Sequence, residues 1–184
     1  PRIYTLGHRN PQGLSWLPDG RPIVTEHGPS GRDEVSLLEA GGNYGWPVAR
    51  DEAEYAGTDF ERPLVNTGPG ETWAPSGAVF YTGSAIPEWH NRLLVGGLVS
   101  EQLVVVTLTR PGAELPPTGT AAVRYDAEWF DDTFVATAHY TLKEELGRIR
   151  RVMQGPDGEV YALTSNRDGR ATGEFPKKRD DRLV

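Results

Sequence analysis

Apolar residues in this chain come in short, β-branched and aromatic runs rather than at helical spacing. Examples are Pro22-Ile23-Val24-Thr25, Ala78-Val79-Phe80-Tyr81, Arg92-Leu93-Leu94-Val95-Gly96-Gly97-Leu98, Leu103-Val104-Val105-Val106-Thr107-Leu108 and Val160-Tyr161-Ala162-Leu163-Thr164. Each is closed by Gly, Pro, Asp or Glu, so each reads as a strand between turns. The stretch from Leu115 to Ala127, rich in Pro, Thr and Gly, reads as a looser connection. The helix-like window is confined to Tyr140–Leu146 and is short.

The strands recur with their turns. Leu17-Pro18-Asp19-Gly20 precedes the first strand above and Gly155-Pro156-Asp157-Gly158 the last. In each, Pro fixes φ, Asp caps its own backbone and Gly takes the positive φ. The two prolines stand 138 residues apart, three periods of about 46, which is within the blade length of β-propellers. A looser copy lies between them: Pro75-Ser76-Gly77 before a strand resembles Pro11-Gln12-Gly13 before Leu14-Ser15-Trp16-Leu17. Short strands and turns also fit a β-sandwich. The spacing and the paired turns favour an all-β propeller of about four blades across residues 1–184. Edge blades of such a segment are expected to be exposed.

Composition sharpens this picture. Gly and Pro make 37 of the 184 residues, about a fifth, where average usage gives roughly 12%. A chain this long hides about 70% of its unfolded surface, enough for a core. The net charge of −7 argues against a phosphate-backbone partner, which needs clustered Lys and Arg. The absence of Cys removes thiol nucleophiles, zinc-thiolate sites and disulfide scaffolds. No apolar run approaches the roughly 18–20 residues of a membrane span. The chain opens at Pro1 and ends on strand-like Arg182-Leu183-Val184, so it is expected to be a segment of a longer protein, incomplete at its N-terminus.

Three clusters carry candidate chemistry. Gly7-His8-Arg9-Asn10-Pro11-Gln12-Gly13 brackets four donor-bearing side chains with Gly and Pro, a loop that presents Arg9 and Asn10 either to an anion or to neighbouring carbonyls. Glu26-His27-Gly28-Pro29-Ser30-Gly31-Arg32-Asp33-Glu34, with Asn43-Tyr44-Gly45-Trp46-Pro47 behind it, combines loop carbonyls and carboxylates, the hard oxygens that Ca²⁺ takes in six to eight positions. The other reading is a turn whose Asp33 and Glu34 are solvated or salt-bridged. In Gly147-Arg148-Ile149-Arg150-Arg151 the strand period turns Arg148 and Arg150 one way and Arg151 the other. Two cations on one face call for an anion between them: a polycarboxylate ligand, or a carboxylate from elsewhere in the chain. His8, His27, His90 and His139 show neither zinc spacing nor a triad, and the five Trp read as inter-blade core.

Taken together, these strings resemble the soluble pyrroloquinoline quinone (PQQ) dependent aldose sugar dehydrogenases, the glucose/sorbosone dehydrogenase family. Gly41-Gly42-Asn43-Tyr44-Gly45-Trp46-Pro47, Pro75-Ser76-Gly77 and Gly155-Pro156-Asp157-Gly158 complete the likeness, which follows one order along nearly the whole chain. It implies a six-bladed propeller of which this chain is the C-terminal half to two-thirds. By that resemblance Arg9 and Asn10 contact PQQ, Arg148 and Arg150 bind its carboxylates with Ile149 between them, Tyr55 lines the cofactor, and Gly97 and Leu98 approach it through their backbone. The carbonyls of Gly28 and Pro29 hold the Ca²⁺ that polarises the quinone. Glu34 and the carbonyl of Tyr44 hold a calcium that is chiefly structural. The implied substrate is an aldose sugar oxidised to a lactone, the electrons pass to an acceptor the sequence does not identify, and the implied location is periplasmic or secreted. Two departures stand out. Val99 occupies the place of a family cation after Gly97-Leu98, and none of the four histidines lies in the motif of the family's general base, so no catalytic residue is assigned within this chain.

Overall fold

The computed structural model describes residues 2–184. The described residues form three antiparallel sheets. The first runs β1 (Pro11–Trp16), β2 (Pro22–Glu26), β3 (Glu34–Leu37), β4 (Val65–Asn66), with one short helix, α1 (Glu52–Tyr55), between its last two strands. The second contains β5 (Pro75–Tyr81), β6 (Arg92–Gly97), β7 (Leu103–Thr109), β8 (Ala122–Tyr125) and β9 (Val135–Thr141), in the order β5-β6-β7-β9-β8. The third is the pair β10 (Ile149–Gln154) and β11 (Val160–Thr164). The first strands stand side by side, β5 touching β1 on one side and β10 on the other. Hydrogen bonds stitch them: Phe80 N to Ser15 Oγ at 2.8 Å, Ser76 Oγ to the Arg150 carbonyl at 2.6 Å.

This is the segment of a propeller that the turns predict, with a different count. Three sheets are present where the spacing suggests about four blades. Their first strands begin 64 and 74 residues apart, so the 138 residues between the two Pro-Asp-Gly turns are two blades averaging 69, not three of 46. The long β7–β9 connection, which carries β8 inside the stretch read as a loop, lengthens the second blade. The turns themselves form as expected. Gly20 and Gly158 adopt φ of 89° and 85°, and Asp19 and Asp157 accept from the amides two residues on, both at 3.1 Å. The helix-like window is instead the end of β9 and the turn after it, because pairing with β7 overrides local propensity.

The middle sheet explains the unbroken apolar runs. Leu93, Val95, Val104 and Val106 pack toward the first sheet with Ile23, Val35 and Trp73, while Leu94, Leu103 and Val105 pack toward the third with Ile149 and Val152. A sheet covered on both faces needs apolar residues at every position. The first sheet is covered on one face, so β1 alternates: Gly13 and Ser15 are buried, Leu14 and Trp16 are exposed. Only Trp73 among the five tryptophans is fully buried, and Trp16 is 58% exposed, against the reading of all five as core. Among the described residues no helix is long and apolar enough to cross a membrane.

Candidate functional site

The antiparallel order puts one set of loops at a single rim. β1, β5 and β10 start there. β2 and β6 end there, as do β4, β9 and β11, whose last residues pair with strand starts on their neighbours. Each first strand also carries a bulge at this rim: Gln12 in β1 and Arg150 in β10 are extra to the register, and in β5 Ser76 and Gly77 together stand against Gly96. Bulges bend a strand and re-aim its side chains. All three candidate clusters therefore share this rim.

In the first blade Glu26 is the hub. It is 3% exposed and accepts His8 Nδ1 at 2.8 Å on one oxygen, and the amides of Arg9 at 2.8 Å and Asn10 at 3.3 Å on the other. His8 stacks on Tyr44 at 4.5 Å. The Arg9 guanidinium is exposed, lies over Trp46 at 5.4 Å and donates to the His27 carbonyl at 3.1 Å. Asn10 Oδ1 accepts from Gln12. Directly across the ladder from Glu26 stands Glu34. Its carboxylate accepts Asn66 Nδ2 at 2.8 Å, and burial, with the Glu26 charge second, pushes its pKa up to about 8. Like charges opposed on neighbouring strands destabilise a sheet unless a cation lies between them.

A cavity of about 20 Å³ opens beside this pair, lined by Arg9, Glu26, Gly28, Pro29, Glu34 and Tyr44 among others. That is room for one water or one ion. The residues expected for two separate calcium ions, Gly28 and Pro29 for one and Glu34 and Tyr44 for the other, thus line one cavity. Two carboxylate residues and three arginines, Arg9, Arg32 and Arg50, share that lining; among the described residues no cluster of three or more His, Asp or Glu side chains is placed to hold a metal. Tyr55 does not line the cavity. It is 1% exposed, packs on Trp129, and donates from its hydroxyl to the Tyr44 carbonyl at 3.0 Å. Burial raises its pKa, and its place is behind the cavity wall.

In the third blade the two arginines do not await an anion. Arg148 is buried; its Nε and Nη2 donate to Asp168 Oδ2 at 3.1 and 2.8 Å, and its Nη1 to the Leu98 carbonyl at 2.7 Å. Arg150 reaches the same carboxylate oxygen at 3.6 Å and leaves its side chain 45% exposed. Desolvation pushes Asp168's pKa up, but the Arg148 hydrogen bond and charge, the Arg170 amide and the Ser165 hydroxyl together hold it below the ordinary value. Of the two anions left open by the sequence, the in-chain carboxylate is present. Ile149 is fully buried in the core, so only its backbone faces the rim. Gly97 and Leu98 are buried too. Leu98 N donates to the Ala74 carbonyl and Val99 N to the Trp73 carbonyl, leaving the Val99 side chain 56% exposed.

Sequence reasoning missed Glu26 and Asp168. Asp168 lies in Ser165-Asn166-Arg167-Asp168-Gly169, a turn string straight after β11, and the need of Arg148 and Arg150 for a carboxylate was the signal pointing to it. Asp33, allowed for as solvated or salt-bridged, is neither: it is 1% exposed and bonded to neutral donors.

Residues 1–172 match the family model described as Glucose / Sorbosone dehydrogenase. The chain is 28% identical over 185 residues to an aldose sugar dehydrogenase of Escherichia coli, covering 95% of this chain and 44% of that protein. The PQQ-bound aldose sugar dehydrogenase of Streptomyces coelicolor superposes with a TM-score of 0.67 at 31% identity, over 98% of this chain and 44% of the other. A putative oxidoreductase (glucose dehydrogenase) of Thermus thermophilus gives 0.71 at 35%, over 100% and 46%. The chain spans less than half the length of the relatives it matches.

Proposed function

The chain belongs to the glucose/sorbosone dehydrogenase family, and on that premise we propose that the protein oxidises an aldose sugar at its anomeric carbon to a lactone, using PQQ and Ca²⁺ held at this rim. The observation that carries the proposal is the juxtaposition of two features on one face: an ion-sized cavity beside paired carboxylates, and the exposed guanidiniums of Arg9 and Arg150.

The residues present fit both groups. Glu34, Glu26 and the carbonyls of Gly28, Pro29 and Tyr44 are the hard oxygens that suit Ca²⁺, and a dication offsets the repulsion between the two carboxylates. PQQ is a tricarboxylate quinone, and it supplies the two-electron acceptor when bound. Arg9 and Asn10 meet its polar edge from the first blade. Arg150 meets it from the third, and Arg148 adds charge from behind, held by Asp168 and Leu98. Gly97, Leu98 and Ile149 contribute backbone, and Tyr55 steadies the Tyr44 carbonyl. The proton acceptor is not assigned to these residues in our proposal. Each of the four histidines has a partner in the chain: Glu26 and Thr5 for His8, and the carbonyls of Pro75, Gly83 and Pro117 for His27, His90 and His139. The proposed location is extracytoplasmic, and the domain is one propeller segment over residues 1–184.

A second reading, a non-catalytic calcium-binding propeller, is favoured by Val99, which puts an apolar side chain on the rim, and by the neutralisation of Arg148. Titration of PQQ into the calcium-loaded protein, followed by absorbance and by dye reduction with a panel of aldoses, separates the two. Saturable PQQ binding with sugar-dependent dye reduction supports the dehydrogenase. Calcium uptake without PQQ binding rejects it in favour of the scaffold.

A further inference from the structure

The exposed Arg9 and the arginine pair of the third blade lie two sheets apart, yet unbroken chains of hydrogen bonds lead from both to one buried side chain, Asp33. Its donors are all neutral. Oδ1 accepts the Gly28 amide at 3.1 Å; Oδ2 accepts Thr72 Oγ1 at 2.9 Å and the amides of Trp73 and Ala74 at 2.7 and 2.9 Å. The Gly28 amide belongs to the peptide unit whose carbonyl is that of His27, and His27 O receives the Arg9 guanidinium at 3.1 Å. Because a peptide unit is planar, fixing its N–H fixes its carbonyl. On the other side, the Trp73–Ala74 turn, with Ala74 at φ 46°, offers its carbonyls to Leu98, Val99 and Ser100. Leu98 O in turn receives Arg148 Nη1 at 2.7 Å, and Arg148 shares Asp168 with Arg150.

We propose that Asp33 is a positioning residue that sets the guanidiniums of the first and third blades in register, one carboxylate oxygen serving each. It touches no ligand itself. Its two oxygens do different work, so an amide cannot replace the carboxylate: the NH₂ of Asn must face either the Gly28 amide or the Trp73–Ala74 amides, donor against donor. This inference rests on the cofactor reading above, since the register matters for a polyanion that spans both blades.

The test is the PQQ dissociation constant of the calcium-loaded chain, measured where every variant is fully folded. Asp33→Asn is expected to weaken PQQ about tenfold, the effect of one misdirected charge-assisted hydrogen bond. Thr72→Val, which removes one donor and keeps the carboxylate, is expected to weaken it about twofold and serves if Asp33→Asn does not fold. Val65→Ala, a core truncation in the same sheet, lowers stability without touching the chains and is expected to leave the constant unchanged. On an Arg9→Ala background the Asp33→Asn effect should shrink, because part of it passes through Arg9. Unchanged affinity in both Asp33→Asn and Thr72→Val, or a full effect retained without Arg9, overturns the inference alone. Failure of the unaltered protein to bind PQQ overturns the cofactor reading and this inference with it.

Discussion

The first and third blades each gather two like charges at the rim, and they resolve the conflict in opposite ways. In the third blade Arg148 and Arg150 share Asp168, a carboxylate of their own chain, so one of the two positive charges is balanced before any ligand arrives. In the first blade Glu26 and Glu34 stand directly opposite each other across the ladder, beside a cavity that Arg9, Arg32 and Arg50 also line. Glu26 is quenched by His8 and two amides, whereas Glu34, with Asn66 Nδ2 and the Tyr55 hydroxyl beside it, has its pKa driven up to about 8 by burial and then by the Glu26 charge. The lesson concerns where an external partner is needed. The arginine pair is built as structure with one exposed member, whereas the carboxylate pair is relieved by a proton on Glu34 below about pH 8, a proton that a dication of the right size would displace.

The largest effect expected from this contrast is on stability. Asp168→Ala leaves the buried Arg148 without its counter-ion and should lower the unfolding free energy by about 3 kcal/mol, read by urea denaturation. A loss under 1 kcal/mol would mean that Arg148 is solvated and the blades do not differ as described. Next comes pH. Glu34 has a folded pKa near 8 against an ordinary value of 4.5, so the folded state holds the extra proton between those limits. Its contribution to stability should therefore fall as pH rises from about 4.5 to about 8 in chelator-treated protein. Glu34→Gln removes that slope, and saturating Ca²⁺ should flatten it, because the cation favours the ionised form. The smallest effect is Arg150→Ala. A half-exposed guanidinium 3.6 Å from its partner contributes under about 1 kcal/mol, so stability should hardly move. PQQ affinity should drop about tenfold, which assigns Arg150 to the ligand and not to the fold.

How far the sequence reveals this molecule depends on the range of the interaction. Turn chemistry is local, so Pro18-Asp19-Gly20 and Pro156-Asp157-Gly158 are legible, as are the strands they introduce. The blade length is not, because 138 residues divide equally well by two or three and only the pairing of β9 with β7 and β8 settles the division. At the site, Arg9, Gly28, Pro29, Glu34 and Tyr44 sit in recognisable strings and do share one cavity. Tyr55 and Ile149 sit in equally recognisable strings, yet their side chains are buried, since neither string says which way a side chain points across a helix turn or a bulge. Asp168 was hidden, and the partners of Asp33 were not foreseen, for another reason: the Arg148 guanidinium and the Trp73 and Ala74 amides come from distant loops, which only the folded geometry brings near.

The most direct test is a calorimetric titration of Ca²⁺ into chelator-stripped protein at pH 7, run in two buffers of different protonation enthalpy. With Glu34 protonated at that pH, one calcium should bind with close to one proton released, and Glu34→Gln should bind more weakly and release none. Absence of binding, or binding that releases no proton and ignores Glu34→Gln, would contradict the assignment of the carboxylate pair as the cation site.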